Sequence, residues 1–289
     1  MTDPDILSSL QNSRVKQVVR LRKRKERDSM RMLLVEGYRE LLRAAEQGYK
    51  LDDLYVCPEW FLGSNEDDLI IRHEEAGARV HQCSREVFAK MSYRDRPDGL
   101  LGLGPYLQTS LAALPVVPNG LYLVAESIEK PGNLGTLLRS ADAAGVDGVI
   151  VADPQTDLHN PNVVRASVGT LFTVPVAEAS TSDTLAWLAA NGIRPVATTP
   201  DTDTLHYNAD LTGGIALVVG AEQYGLSTAW LEGSPLLLRI PMAGKADSLN
   251  VAAAATIVLF ESVRQRNCME FHLDLHSANA SLYVKQEPK

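Results

Sequence analysis

Short apolar runs alternate with amphipathic stretches along most of the chain. Met32 to Glu36 (MLLVE) reads as a buried strand, and Gly37 to Gln47 as an amphipathic helix that stops at Gly48. A strand at Leu54 to Cys57 ends at Pro58, a helix around Asp67 to Glu75 ends at Gly77, and Arg79 to Gln82 reads as the next strand. Ser84 is placed to cap a helix that runs to about Met91, and Gly99 to Gly104 completes the set. This alternation predicts a small α/β sandwich at residues 1–106. A segment with three prolines follows, PYLQTSLAALPVVPNG, and residues 107–119 read as a linker.

The second half alternates again, with strands expected at Leu121 to Ala125, Gly148 to Ala152, Phe172 to Val176, Arg194 to Thr198, Ile215 to Val219 and Leu236 to Ile240. Helices fit Leu134 to Ala144, Asn162 to Val168, Ser182 to Ala190 and Leu249 to Arg266. Strands this apolar, separated by helices, make a mostly parallel sheet covered on both faces, so residues 120–270 read as a second α/β domain. Ligands of such sheets sit beyond the carboxyl ends of the strands. The last helix is almost pure Ala, Val, Ile and Leu through Phe260, which predicts burial on every side, with Ser248 as its N-cap. Residues 271–289 form a tail of weak periodicity.

Composition is ordinary for a globular protein, with 45% hydrophobic and 22% charged residues, so disorder and fibrous repeats are excluded. Three cysteines far apart, with no C-x-x-C pair, argue against a disulfide framework or a zinc site and fit a reducing compartment. The N-terminus lacks a signal-peptide pattern, no apolar run approaches a membrane span, and a cytoplasmic protein is expected. Net charge is −8, yet Arg14 to Arg31 holds nine basic and two acidic residues in what reads as a helix. A basic segment on an acidic body steers one part of the surface toward phosphate. The bland alternative is a solvated helix with no partner.

Three stretches carry candidate chemistry. Glu126 to Gly145 (ESIEKPGNLGTLLRSADAAG) turns at Pro131 and Gly132, places Asn133 to cap, and carries Arg139 six residues on. Leu217 to Ser227 (LVVGAEQYGLS) runs a buried strand into Gly220, with a carboxylate at Glu222. Leu237 to Arg266 brings Ser248 and Asn250 to the mouth of the last helix. None contains a glycine-rich phosphate loop. Taken singly, each is as readily a capped helix or a strand-to-helix turn. In order, N-x-G-x-x-x-R, G-A-E-x-x-G-L-S and I-P-M-x(5)-S-L-N-V-A-x-A resemble the SpoU family of RNA 2′-O-ribose methyltransferases, across about Leu121 to Arg266.

The resemblance implies a deep trefoil knot in the second domain, and a first domain similar to the ribosomal L30e fold that binds substrate RNA. It implies S-adenosylmethionine as cofactor, held around Thr198, Gly220, Ile240, Met242 and Leu249, with Ser248 and Asn250 in the same site. Arg139 matches the arginine held to be catalytic, with Asn133 beside it, and Glu222, Ser248 and Asn250 complete the catalytic candidates. Arg264 and Arg266 fall where relatives place substrate-binding cations. Arg22, Lys23 and Arg24 in the basic segment and Arg165 in NPNVVRASVGT are further RNA-contact candidates. No metal is implied, and a homodimer is.

Methyl transfer to a ribose hydroxyl requires alignment, exclusion of water and removal of a reluctant proton. A guanidinium is very hard to deprotonate, so Arg139 is expected to grip the target phosphate and stabilise developing alkoxide charge rather than act as base. Only RNA offers a 2′-hydroxyl. Ribosomal RNA (23S) is the first choice of substrate, with tRNA and ribosome protection against an antibiotic as alternatives. Two readings from other classes stay open: a non-catalytic RNA-binding or ribosome-assembly module, and a nucleotide-dependent enzyme on an ordinary doubly wound sheet.

Overall fold

A computed structural model describes residues 6–283, with side chains described as far as residue 268. The chain begins with two short helices, α1 (Ser13–Arg20) and α2 (Arg24–Met30). Then come β1 (Met32–Glu36), α3 (Tyr38–Glu46), β2 (Asp53–Val56), α4 (Glu66–Glu75), β3 (Arg79–Gln82), α5 (Arg85–Met91) and β4 (Leu100–Pro105). The four strands make one sheet in the order β1-β4-β2-β3, antiparallel except between β2 and β3. Alternate residues feed opposite faces, as a period of two demands. Leu33 and Val35 join a core with Leu41 and Leu69, from α3 and α4, while Leu34 packs with Val15, Val18 and Phe88, from α1 and α5.

The second sheet is entirely parallel. Its elements are β5 (Leu121–Glu126), α6 (Pro131–Ala144), β6 (Gly148–Ala152), α7 (Pro161–Ala166), β7 (Val176–Ala179), α8 (Thr181–Ala190), β8 (Arg194–Thr198), β9 (Ile215–Val219), α9 (Thr228–Gly233), β10 (Leu236–Leu238) and α10 (Val251–Tyr283). Strand order is β10-β8-β9-β5-β6-β7. Every residue of β5, β6 and β9 is buried, which is why these strands are apolar without alternation. Leu121, Leu123 and Ala125 pack under α6, α7 and α10, whereas Tyr122 and Val124 face Leu188 and Trp230 of α8 and α9.

Several elements depart from expectation for identifiable reasons. The basic segment is two helices, because Arg27 folds back and its Nη1 donates to the carbonyls of Leu21 and Arg22, both at 2.9 Å, at the break. The strand expected at Phe172 to Val176 lies instead at Val176–Ala179. Residues 167–173 are held in turns: Arg43 donates to the Val168 carbonyl, and a Cβ at Gly169, whose φ is +82°, would meet the Glu40 backbone at 2.9 Å. Docking onto α3 thus overrides the strand propensity of Phe172 and Val174. The short helix α9 gave no sequence signal. The last helix starts at Val251 rather than Leu249 and continues past Arg266 into the expected tail; residues 284–289 lie outside the described residues. Nor is that helix buried all round: Ile257 and Phe260 are 38% and 45% exposed.

The proline-rich linker is strapped down. The Glu178 amide donates to the Thr109 carbonyl at 2.7 Å, and Leu114 is buried beside Tyr122 and Ala177. Beyond it the two halves join through polar contacts as well as a shared core. Arg27 and Asp157, both buried, form an ion pair. Tyr106 stacks on His159 with ring centroids 3.8 Å apart, its hydroxyl donates to Asp28 at 2.9 Å, and the Arg31 guanidinium lies 4.8 Å above its ring. The Leu107 amide donates to His159 Nε2 at 3.2 Å, which places the imidazole proton on Nδ1. Burial pushes His159 down to about 4.

Candidate active site

Strands β10, β8, β9 and β5 are neighbours, so the loops after them leave one edge of the sheet side by side. The Thr198 hydroxyl donates to the Val218 carbonyl at 2.9 Å, and the Thr199 amide to the Leu238 carbonyl at 2.9 Å. The loops after β8 and β10 stay paired beyond the sheet: the Arg239 amide donates to the Thr204 carbonyl, and the His206 amide to the Arg239 carbonyl, each at 2.9 Å. Thr198, Gly220 and Ile240 therefore stand together at the strand ends, half-buried. Met242 and Leu249 lie in the exposed loop that follows.

The loop after β9 closes on itself. The Gly225 amide donates to the Ala221 carbonyl at 2.9 Å, and a Cβ at Gly220 would meet the Leu226 nitrogen at 2.6 Å, so only glycine fits there. Glu126, buried at the end of β5, accepts from the Ser227 amide at 2.8 Å and from the Thr181 hydroxyl at 3.2 Å. It ties the far end of this loop to the central strand.

The three chemistry-bearing stretches meet at one carboxylate. Asn133 Nδ2 donates to Glu222, and Lys130 forms an ion pair with it. Asn250 Nδ2 donates to Glu222 Oε1 at 3.1 Å and to Asn133 Oδ1 at 3.2 Å. Asn250 Oδ1 accepts from the Ala252 amide at 3.0 Å, so Asn250, not Ser248, caps the last helix. Ser248 is exposed, two residues before that cap. The Ser140 and Thr256 hydroxyls are 2.6 Å apart, which lays α6 and α10 side by side with both N-termini at this cluster. Glu222 thus faces the positive ends of two helix dipoles. The bond to Glu222 raises the Lys130 ammonium above its usual range.

Arg139 is on α6, exposed, and makes no hydrogen bond or ion pair among the described residues. A Cβ at Gly135, one turn earlier, would meet the Ser167 nitrogen at 2.7 Å, so α6 lies tight against α7 on that side. The arginine's charge is open to an incoming anion, on the helix whose N-terminus meets the polar cluster but six residues beyond Asn133 and without a contact to that cluster.

The remaining cations divide. Lys23 and Arg24 are exposed at the α1–α2 corner, with Arg24 3.5 Å from Asp28. Arg22 is half-buried and donates to the carbonyls of Lys90 (2.8 Å) and Ser92, so its guanidinium serves the fold. Arg165 is exposed and reaches Asn162 Oδ1 at 3.1 Å. Arg264 is forked onto Glu261 at 2.7 and 2.9 Å. Arg266 is half-buried and its guanidinium is spent on the carbonyls of Asn119 (2.6 Å) and Gly213 (2.5 Å) and the Ser262 hydroxyl (3.1 Å).

Two participants escaped sequence reasoning. Lys130 was readable only as one more charge before a proline, and Glu126 as the polar end of a strand; their roles come from loops far along the chain. A pocket for S-adenosylmethionine needs main-chain groups around an adenosine and free polar groups near a sulfonium. The paired strand-end loops, the glycine turn at Gly220 and the exposed Met242 and Leu249 fit that need. No group of three His, Cys, Asp or Glu among the described residues is arranged to hold a metal ion.

Residues 120–260 match the SpoU rRNA Methylase family, and residues 12–102 the MRM3-like substrate binding domain. The chain is 29% identical over 254 residues to the 23S rRNA (guanosine(2553)-2′-O)-methyltransferase RlmP of Bacillus subtilis, covering 88% of this chain and 97% of that one. It is 33% identical to the 23S rRNA (uridine(2479)-2′-O)-methyltransferase of Streptomyces viridochromogenes, covering 81% and 83%. The AdoMet-bound rRNA methyltransferase from Sinorhizobium meliloti superposes with a TM-score of 0.83 at 32% identity, over 90% of this chain and 98% of that one.

Proposed function

The chain belongs to the SpoU rRNA methylase family, and from that membership we propose how its residues carry out S-adenosylmethionine-dependent methylation of a ribose 2′-hydroxyl in 23S rRNA. The observation that carries the assignment of roles is the meeting of Asn133, Glu222 and Asn250 from three separate loops at the N-termini of α6 and α10. When bound, the cofactor supplies an electrophilic methyl on a sulfonium. Thr198, Gly220, Ile240, Met242 and Leu249 hold it. Arg139 grips the target phosphate and orients the ribose, and its guanidinium offsets the charge that develops on the 2′-oxygen as the proton leaves. Asn133, Glu222 and Asn250 anchor the end of the loop that carries Met242 to Leu249, where it meets the last helix.

Two relatives of similar identity are named for a guanosine and a uridine. Both matches take in most of the chain, so membership of the family does not by itself fix the base that is modified. The first domain, through the exposed Lys23 and Arg24, holds folded RNA by its phosphates and so sets which nucleotide is presented to the site. The exposed Ile257 and Phe260 of α10, with Tyr224 and Met242 near the site, form the face for a second copy, and the active unit is a homodimer. The trefoil knot and the boundaries of the two domains near residues 106 and 120 belong to the same reading, as does action in the cytoplasm, where ribosomes are assembled. No described helix is long and apolar enough to cross a membrane.

The test is mass spectrometry of nucleosides from 23S rRNA after incubation with the purified protein and S-adenosylmethionine, beside calorimetry with the cofactor alone. One new 2′-O-methyl nucleoside is expected, lost in Arg139→Ala while cofactor binding persists. A protein that binds no cofactor and adds no methyl would leave the non-catalytic reading in place.

A further inference from the structure

An open cavity of about 820 Å³ lies between the two halves, away from the cofactor loops. Its walls carry Tyr38, Arg39, Leu62, Arg94, Arg96 and Arg165. We propose that this groove seats an unpaired nucleotide that neighbours the methylated one, and joins the basic corner of the first domain to Arg139 in a single RNA track. The proposal rests on the rRNA-methyltransferase reading and names a further substrate contact for it.

Charge is the first observation. Four arginines and four carboxylates line the cavity, but they are placed differently. Glu40 is buried and ion-paired to Arg94, and Asp98 accepts from the Tyr38 amide at 2.9 Å. Glu66, also buried, accepts from the amides of Leu62 (3.1 Å) and Gly63 (2.7 Å). Three carboxylates are thus committed to the protein, and Asp95 alone is exposed. Arg39, Arg96 and Arg165 are all exposed, so the surface a ligand meets is dominated by guanidinium. Such groups pair with phosphate in a bidentate fork and stack on bases.

Shape is the second. Leu62 is 82% exposed, on a turn that Glu66 holds in place through two amides. A large apolar side chain on a held turn of a cationic groove that Tyr38 also lines suits the face of an unstacked base. Single-stranded segments with splayed bases are what RNA-reading surfaces most often take.

Continuity is the third. Arg22 holds the carbonyls of Lys90 and Ser92 and lies 5.9 Å over the Tyr93 ring, so the exposed Lys23 and Arg24 adjoin the segment that leads into Arg94 and Arg96. Asn162, at the start of α7, donates to the Tyr93 hydroxyl at 3.4 Å. Arg165 is on the same helix, one residue before Ala166, which packs against Gly135, one turn from Arg139. The track therefore runs Lys23, Arg96, Arg165, Arg139, with Asp28 at its start drawn to Arg24 and Asp95 the exposed carboxylate in the groove itself.

Steady-state methylation of a 23S rRNA fragment by Arg39→Ala/Arg96→Ala and by Leu62→Ser tests this. The double variant is expected to raise KM for RNA about tenfold with kcat within about twofold and cofactor affinity unchanged, and to flatten the salt dependence of binding by about one counterion per lost contact. Leu62→Ser raises KM without altering the salt slope. Arg39→Lys/Arg96→Lys recovers most of the RNA affinity, which a folding defect would not allow. In the wild-type protein, photocrosslinking should join Tyr38 or Leu62 peptides to a nucleotide within a few positions of the methylated one. Unchanged KM and salt slope in the double variant, or crosslinks that avoid the groove, overturn the proposal. A wild-type protein that methylates no rRNA would instead sink the functional reading beneath it.

Discussion

Arg27 stands apart from the basic segment that contains it. It is 1% exposed, pairs with Asp157 across the domain junction, and caps two carbonyls at the break between α1 and α2. Replacing it with Met keeps most of the packing of its stem but leaves the Asp157 carboxylate buried, with only the His159 amide at 2.9 Å as a partner. Breaking one side of a buried pair costs about 3–5 kcal/mol. For a chain of this size each kcal/mol moves the melting temperature by about 2–4 °C, so Arg27→Met should melt roughly 6–20 °C lower. Asp157→Asn added to that background removes the stranded charge while keeping an acceptor for the His159 amide, and should recover at least about 2 kcal/mol. Urea denaturation followed by tryptophan fluorescence reports on both halves, because Trp60 lies in the first and Trp187 and Trp230 in the second. A cost for Arg27→Met under about 1 kcal/mol, or a double variant no more stable than the single one, would refute the idea that this pair locks the domains.

Three further outcomes are expected. Arg139→Lys should retain measurable kcat and Arg139→Ala should lose it, with both pH-rate profiles parallel to wild type. A limb that vanishes with the arginine would make it the base. Charge reversal of Lys23, Arg24 and Lys25, which are exposed and spare Arg22, should weaken RNA binding at least tenfold by filter binding and leave S-adenosylmethionine affinity intact. Equal loss of both would point to misfolding. Burial, aided by Arg31 and Arg27 and opposed by Asp157 and Asp28, holds the His159 imidazole at about 4, below the ordinary 6.5. Between those values the unfolded chain binds the extra proton, so stability falls as pH drops through this window, by about 3 kcal/mol in full. Burial pushes Glu36, Glu40 and Glu178 upward and gives them the opposite sign. The readout is therefore the difference between wild type and His159→Gln in urea midpoints from pH 7 to 4.5, which should narrow on acidification. A constant difference would count against a buried neutral imidazole.

Elements whose fate is settled by local pattern were legible. Met32–Glu36, Gly148–Ala152 and Ile215–Val219 occupy the residues their apolar runs predict. Burial on both faces leaves such a run no other stable conformation. What failed depended on contacts from elsewhere. The strand expected at Phe172 is a turn because α3 supplies Arg43 and the Glu40 backbone to hold it. Ser248 and Asn250 are equally good N-caps by type, and Asn250 takes the position because its amide also reaches Asn133 and Glu222. The exposed side of α10 reads as core in composition, since an apolar face gives the same pattern whether its own chain or another covers it. The order of three motifs singled out Asn133, Glu222 and Asn250, which the structure brings together, and Arg139, which shares α6 with Asn133 but meets none of them. Lys130 and Glu126 were invisible, because a single charge before a turn or at a strand end carries no period or spacing to be read.

Two polar networks hold this molecule together, and their contrast bears on how it works. Arg27 and Asp157 are sealed from water, so their attraction is barely screened and the junction they span is costly to open. Glu222, Lys130, Asn133 and Asn250 sit in solvent, where an ion pair contributes about 0–1 kcal/mol. The loop from Pro241 to Asn250 is exposed throughout, so these weak bonds hold the end at which it meets the last helix. Domain orientation is thus fixed by strong contacts, while the loop before the last helix is held by contacts a ligand can rearrange at little cost. Such a division suits an enzyme that must keep a folded RNA in register while small molecules enter and leave at one edge of the sheet. It also explains why the polar residues of the site are at the mouths of α6 and α10 rather than beneath them: buried there, the same groups would lock the loop they are needed to release.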